Sequence, residues 1–390
     1  MANNYQLLDM ANTNLSNAKA AKNDEFYTQY HDIEREMEAY LDYDSNVFRN
    51  KTVLLPCDDP EWSNFTRYFA QNFNRLGLKK LISTSYAYES KRFKGPIQLT
   101  LFETEAPQFD AKKTPTHGKI YVLEKDVNGD KKVNIDDLEW RYLEGDGDFK
   151  SEEVTKLRDE ADIIVTNPPF SLFREFLAWV VEANKKFILI ANKNGITYKE
   201  VFPMIKDNKL WVGRTPMSED LLFEIPGHLV SDFVNNGKEG SKFRIVDGKV
   251  LGRSTSIWIT NIDHGRRHQP LQLMTMEDNL KYSKHKEIRG RDSYIHYENY
   301  DAIEVPHTDA IPSDYNGTMG VPISFLGKYC PEQFEIIGQT QGDSGKELGL
   351  TPFPRELKKL NPSLRDGQLY YIENGKPEKP YARILIRKKQ

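Results

Sequence analysis

The chain is expected to fold as an α/β protein on a mostly parallel sheet with helices on both faces, followed by a region of different character. Two observations predict this. From residue 51 to about 213, short apolar runs alternate with stretches at helical spacing, a rhythm that favours a parallel sheet covered by helices. Near residue 264 the rhythm stops and the chain becomes richer in Gly, Pro and charge.

The elements follow in order. Residues 52–56 (TVLLP) form a short β-rich run, and 65–73 carry aromatics at helical spacing. A second strand is expected over 79–85. Residues 151–160 read as a helix with Glu152 and Glu153 in its first turn, where carboxylates oppose the helix dipole. Residues 162–166 (DIIVT) are a buried-strand candidate that stops at Asn167-Pro168-Pro169. Leu172, Phe176, Trp179 and Val180 then fall on one helical face within 171–184. Residues 187–191 (FILIA) are another buried strand, and 198–205 another helix. Residues 96–145 interrupt the alternation with hairpin-like runs, KIYVLEK and VNIDDLEW, around a DVNGDKK turn.

Composition narrows the function classes. A chain of 390 residues with 38% hydrophobic and 29% charged content holds enough apolar material for a sizeable core and room for two domains. No apolar run reaches the roughly 18 residues that a membrane helix needs, and the polar N-terminus lacks a signal-peptide core. Two cysteines, Cys57 and Cys330, make neither a disulfide framework nor a metal cluster. A cytoplasmic location and no membrane partner are therefore expected. The formal net charge of −4 argues against nucleic acid as a partner, but its distribution does not. Residues 281–291 carry five Lys/Arg against one Glu, and residues 351–390 carry ten against four acids. DNA binding is permitted by these stretches, each of which also suits a solvated face.

The chemistry is carried by Asn167-Pro168-Pro169-Phe170. In an open α/β sheet, ligands bind outside the carboxyl ends of the strands. Two prolines cannot continue a strand's hydrogen-bond ladder, so they end it in a stiff, extended loop. Such a loop holds the Asn167 side-chain carbonyl and the Pro168 backbone carbonyl in fixed directions. Both accept, and an exocyclic amino group offers two N–H donors. Holding both hydrogens steers the amine lone pair toward an electrophilic methyl group, while Phe170 stacks on a base that has left its helix. Taken alone, the tetrapeptide also suits a strand-terminating turn. Its place between DIIVT and an amphipathic helix favours the functional reading.

At this point the sequence resembles the EcoRI-type adenine-specific DNA methyltransferases. NDEFYTQY (23–30), CDDPEWSNFTRYFAQNFNRLGLKKLI (57–82), GDGDFKS (145–151), IIVTNPPFSLFREFL (163–177), ITYKEVF (196–202), DYNGTMGVPISFL (314–326) and PEQFEIIG (331–338) follow one another with that family's spacing. The resemblance implies a Rossmann-like, doubly wound methyltransferase fold and S-adenosylmethionine as cofactor. It also implies transfer to adenine N6 in double-stranded DNA. Expected domains are a polar arm at 1–22, a catalytic domain at 23–263 with a hairpin insertion at about 96–144, and a target-recognition region at 264–390. A monomer is the default expectation, with a restriction endonuclease acting on the same site as a further partner. Methylation of RNA or of a protein amino group, and a DNA-binding module with a decayed active site, are the competing readings.

The resemblance also implies site residues. Phe26, Tyr27 and Thr28 stand where relatives embrace the methionine end of the cofactor, with Gln29 in place of the usual proline and Thr28 on the carboxylate. Cys57, Asp58 and Asp59 follow the first strand, where such enzymes carry a glycine-rich turn. No glycine occurs here, so the general dinucleotide fingerprint fails, although acidic side chains can still accept from ribose hydroxyls. Pro56-Cys57 invites comparison with a cytosine-C5 nucleophile, but that thiolate belongs after the fourth strand, where Asn167 stands. Asp146 or Asp148 is expected to accept from the cofactor's adenine, with Phe149 stacked on its ring. Arg266, Arg267, Lys281, Lys284, Lys286, Arg289 and Arg291 are the expected phosphate contacts. Residues 126–137 space their oxygens like a calcium loop, but Lys131 stands where that loop needs glycine. A hairpin is preferred, and no metal is expected.

Overall fold

The computed structural model of the chain describes residues 27–57, 63–87, 104–225, 227 and 230–389. The polar arm at 1–22, Phe26, Asp58 and Asp59 lie outside the described residues, and Tyr27 is described by its backbone alone. The chain divides into two compact units, Met1–Lys193 with Glu219–Ile262, and Asn194–Ser218 with Asp263–Gln390. Residues 194–218, which the rhythm of the sequence assigns to the first domain, thus group with the second.

The first unit holds seven strands of a mixed sheet with a parallel centre. They are β2 (Thr52–Leu55), β3 (Lys80–Ser85), β4 (Lys119–Leu123), β5 (Glu139–Tyr142), β6 (Ile163–Thr166), β7 (Lys186–Asn192) and β11 (Ser256–Thr260). Their order is β5-β4-β3-β2-β6-β7-β11. Pairs β3/β2, β2/β6 and β6/β7 are parallel; β4, β5 and β11 join antiparallel. Every residue of β2 and β6 is buried, as befits central strands covered on both faces. Of the two hairpin-like runs, KIYVLEK contains β4, whereas VNIDDLEW makes a 3-10 turn at Ile135–Asp137. Only the end of VNIDDLEW enters β5, which pairs with β4 as β4 pairs with β3.

Helix α1 (Tyr30–Tyr43) buries Ile33, Glu36, Met37 and Tyr40, a single stripe at helical spacing. The buried Glu36 carboxylate accepts from the Tyr40 hydroxyl at 2.8 Å. Helix α2 (Asn64–Gln71) starts at Ser63, whose hydroxyl accepts from the Phe65 amide at 3.0 Å. Helix α3 (Glu152–Glu160) is capped in the same way by Ser151 on Val154, with Glu152 and Glu153 in its first turn. Helix α4 (Phe173–Glu182) begins later than its periodicity suggests, because Phe170–Leu172 form a tight 3-10 turn after the two prolines.

A second, antiparallel sheet orders β1 (Tyr27–Thr28), β8 (Leu221–Glu224), β10 (Lys249–Ser254) and β9 (Phe243–Val246). The β9–β10 turn has positive φ at both Asp247 and Gly248, the Asp-Gly geometry of a tight hairpin. Tyr27 pairs with Glu224 and Thr28 with Phe223.

The second unit contains a sheet where the sequence showed no strand rhythm. Strands β12 (Ile303–Glu304), β13 (Met319–Pro322), β14 (Phe334–Gln339) and β15 (Arg383–Lys388) stand in the order β12-β13-β15-β14. The helix expected over 198–205 shrinks to Phe202–Lys206, since Pro203 has no N–H to give and is tolerated only in a first turn. Helix α5 (Met276–Tyr282) is capped by Thr275 on the Asp278 amide. Within the unit, Glu304 on β12 and Arg383 on β15 are both buried and form an ion pair at 2.5 Å.

His268 of this unit faces carboxylates on both nitrogens, Asp263 at 2.9 Å and Glu332 at 2.8 Å. Partial burial opposes its charge, but the two acceptors prevail and raise its pKa above the ordinary 6.5. A raised folded-state pKa stabilises fully below the unfolded value and is lost as pH rises through the folded one. The stability gap between wild type and His268→Gln is therefore expected to be widest below pH 6.5 and to close as pH rises, measured by denaturant unfolding.

Candidate active site

The strand order creates a switch point. From β2 the chain moves outward to β3 on one side, then returns to β6 and moves outward to β7 on the other. The carboxyl ends of β2 and β6 are therefore adjacent with their onward connections diverging, which is where open α/β sheets bind ligands. The fully buried Thr166 ends β6, and its hydroxyl donates to the Pro56 carbonyl at the end of β2. That bond ties together the two loops expected to carry catalysis and cofactor.

Asn167 follows Thr166 directly. It is half-buried, Pro168 is buried, and Pro169 and Phe170 are half-buried. The Asn167 Oδ1 atom is buried and has no hydrogen-bond donor among the described residues. An unsatisfied buried acceptor costs about 1–3 kcal/mol, and no described residue offsets that cost at Asn167. Phe170 packs against the core cluster that includes Val53, Val165 and Trp258.

On the β2 side, Cys57 has φ +63°. The loop lacks glycine, yet its first residue adopts the left-handed backbone that glycine ordinarily provides. Its thiol lies 3.9 Å from the hydroxyl of Tyr86, just beyond β3. Burial above all, then the nearby Cys57 and Asp148, push the Tyr86 phenol far above its ordinary value, so it stays protonated.

The 145–149 loop lies against the end of β3. The Ala87 amide donates to the Asp146 carbonyl at 2.7 Å. A Cβ on Gly147, where φ is +83°, would stand 2.2 Å from the Ser85 carbonyl oxygen, so only glycine fits this approach. Asp146 Oδ1 accepts from the Asp148 amide at 3.1 Å, and Asp148 Oδ1 from the Lys150 amide at 2.9 Å. Both aspartates are half-buried. Phe149 departs from the expectation. It is fully buried, with Phe176 and Trp179 edge-on at 5.1 and 5.5 Å, and leaves no ring face for a ligand. Its role is to pack the loop onto α4.

Thr28 is 3% exposed and its hydroxyl has no partner among the described residues. The next residue, Gln29, has a buried Nε2 without a partner among the described residues and precedes the first turn of α1. Asn64, at the start of α2, donates to the Thr28 carbonyl at 2.8 Å and fixes the strand. Sequence reasoning had not singled out Thr166, Tyr86, Asn64 or the Gln29 amide. The Ser63-Asn64 helix start was the available signal for Asn64. Nothing local marks the other three.

The expected phosphate contacts divide. Arg267 is a correction: it is buried, its guanidinium lies 3.8 Å over the Trp211 ring, and it bonds to Asp263 and Asn208, so it builds the unit's core. Arg266 donates to the Arg214 carbonyl. Arg291 pairs with Glu373 at 2.5 Å, and Lys284 with Asp309 at 2.8 Å. Burial works against the Asp309 charge, yet Lys284 and His285 hold its pKa at about 2. Lys281 is exposed and lies over the Tyr282 ring. Lys286 and Arg289 are exposed, and no ion pair or hydrogen bond engages their side chains among the described residues.

In the 126–137 loop, Lys131 takes φ +67°, the backbone that a calcium loop gives to glycine. Its oxygens are spent on backbone amides: Asp126 accepts from Gly129 and Lys131, and Asp137 from Val127, Asn128 and Asn134.

The family model described as adenine-specific methyltransferase EcoRI matches residues 14–389. The type II methyltransferase M.EcoRI of Escherichia coli is 39% identical over 96% of both chains. Type II methyltransferases of Mycoplasma genitalium and Mycoplasma pneumoniae (M.MpnI) are 32% and 30% identical, each over 96% of this chain and 98% and 97% of their own. No solved structure matches at a significant level. The chain belongs to the EcoRI family of adenine-specific methyltransferases, and its activity is methylation of adenine in DNA.

Proposed function

We propose that the first unit is a Rossmann-like, doubly wound catalytic domain that methylates N6 of an adenine flipped out of double-stranded DNA. The methyl donor is S-adenosylmethionine, and the setting is restriction-modification. The observation that carries this reading is the buried Asn167 Oδ1, without a donor among the described residues, on a Pro-Pro loop at the switch point. Oδ1 and the Pro168 carbonyl accept the two amino hydrogens of the base, turning the nitrogen lone pair out of the ring plane. Phe170 covers the base face. Positioning and electrostatics suffice, with no covalent intermediate on the chain.

The residues present fit the cofactor. Thr28 Oγ1 and Gln29 Nε2 are buried polar atoms without partners among the described residues, suited to a carboxylate. Asp146 and Asp148 stand half-buried beside a glycine that permits close approach, suited to an amino group. When bound, the cofactor supplies a methyl group on a sulfonium, electrophilic enough for a neutral amine. Thr28→Val is expected to weaken cofactor binding by about 10- to 100-fold, read by calorimetry. Unchanged affinity would remove Thr28 from the site.

The second unit is proposed to recognise the target, with Lys286 and Arg289 on phosphates. Each phosphate contact lowers the slope of log affinity against log salt by about 0.9. Replacing both residues by Ala is expected to weaken binding to all duplexes alike and to flatten that slope by roughly 2, measured by fluorescence anisotropy. A monomer in the cytoplasm, partnered in function by an endonuclease of the same specificity, completes the proposal. The primary test is nucleoside mass spectrometry of unmethylated duplex DNA after incubation with protein and cofactor. N6-methyladenine is expected. No methylated nucleoside, with cofactor binding demonstrated, would overturn the reading.

A further inference from the structure

We propose that His285, Glu287 and His307 of the second unit form a binding site for one divalent transition-metal ion of the zinc class. Neither the methyl-transfer reaction nor the DNA contacts call for this cluster.

Two short segments build it, one reading His285-Lys286-Glu287 and the other His307-Thr308-Asp309. Each histidine finds its carboxylate on the opposite segment. His285 Nε2 lies 2.8 Å from Asp309 Oδ1, and His307 Nε2 lies 3.5 Å from Glu287 Oε2. The two imidazole rings lie face to face, 3.6 Å apart and 6° from parallel. One ligand atom from each of His285, Glu287 and His307 falls within 4.8 Å of the others. Donors around a tetrahedral ion with bonds of about 2.0 Å stand roughly 3.3 Å apart. An imidazole lone pair lies in its ring plane, so closing the cluster onto an ion turns the two stacked rings out of parallel and swings the exposed Glu287 inward.

Donor chemistry selects the ion. Imidazole nitrogens with a carboxylate suit zinc, nickel or copper, whereas calcium and magnesium favour an all-oxygen shell. Asp309 carries only acceptors when ionised, so the Nε2–H of His285 must donate to it, leaving Nδ1 with the lone pair. A carboxylate that orients a histidine in this way is the usual support around a metal-bound imidazole. Asp309 is itself held by Lys284 at 2.8 Å. The ion would staple the segment carrying Lys286 and Arg289 to the segment at 307–309, fixing the direction in which those two cations project.

The test is calorimetric titration of zinc chloride into the full chain after chelator treatment and removal of the chelator. One ion per chain is expected in wild type, and loss of that binding in His285→Ala and in His307→Ala. Asp309→Asn is expected to keep the site and weaken it by about 10- to 100-fold. Should a histidine variant fail to fold, the exposed Glu287→Gln carries the test, with affinity expected to fall at least tenfold at an unchanged metal-free unfolding midpoint. No saturable binding in wild type would overturn the proposal. So would equal stoichiometry and affinity in the folded variants.

Discussion

Asn167→Ala is expected to leave cofactor affinity unchanged and to slow methyl transfer by about 10²–10³-fold, the usual cost of removing one preorganised polar group from an active site. The oxygen lost is buried and accepts from no donor among the described residues, so its removal breaks no hydrogen bond that they make to it. The substitution is therefore expected to be neutral or mildly stabilising before substrate arrives. In the reaction the balance reverses. The base keeps the Pro168 carbonyl but loses the second acceptor, and its lone pair is no longer held toward the methyl group. Single-turnover kinetics with calorimetry of cofactor binding separate these steps. A normal single-turnover rate would dismiss Asn167 from catalysis, and a loss of cofactor affinity equal to the loss of rate would assign it to binding instead.

Arg383→Met is expected to cost about 3–5 kcal/mol of stability, because it strands a buried carboxylate. The Arg383 and Glu304 side chains are 10% and 5% exposed, and Arg383 offers Nε as well as Nη2 to Glu304. The hydroxyl of the buried Tyr297 donates to the same carboxylate. An unfolding midpoint lower by on the order of 10 °C is the calorimetric signature. Adding Glu304→Gln to Arg383→Met removes the stranded charge and is expected to recover most of the loss. If the double variant is as unstable as the single one, packing and not charge burial sets the cost.

What the sequence revealed and what it hid follow from the range of the forces involved. Strands β2, β6 and β7 were legible because each is a continuous apolar run whose burial is dictated by its own residues. The place of Asn167 was legible because two prolines must end a strand wherever they occur. Phe149 was misjudged because the Gly-Asp-Gly-Asp turn is a local signal, whereas burial of the ring depends on α4, which follows later in the chain. Arg267 was misjudged because charge says nothing about the Trp211 ring beneath it. The Thr166–Pro56 bond and the Tyr86–Cys57 contact were invisible, since both exist only once the strand order brings separate ends together. The grouping of residues 194–218 with the second unit likewise comes from contacts distant in sequence.

The pairing of β1 with β8 has a consequence for the newborn chain. Tyr27 and Thr28 leave the ribosome early, but their partners Glu224 and Phe223 follow about 200 residues later. At roughly 5–20 residues per second, the first strand waits on the order of 10–40 seconds for a place in its sheet. The clasp that presents Thr28 is therefore absent from every shorter nascent chain, even one in which β2, β6 and the Asn167 loop have already emerged. The carboxylate site proposed at Thr28 is thus assembled only when translation has passed β8.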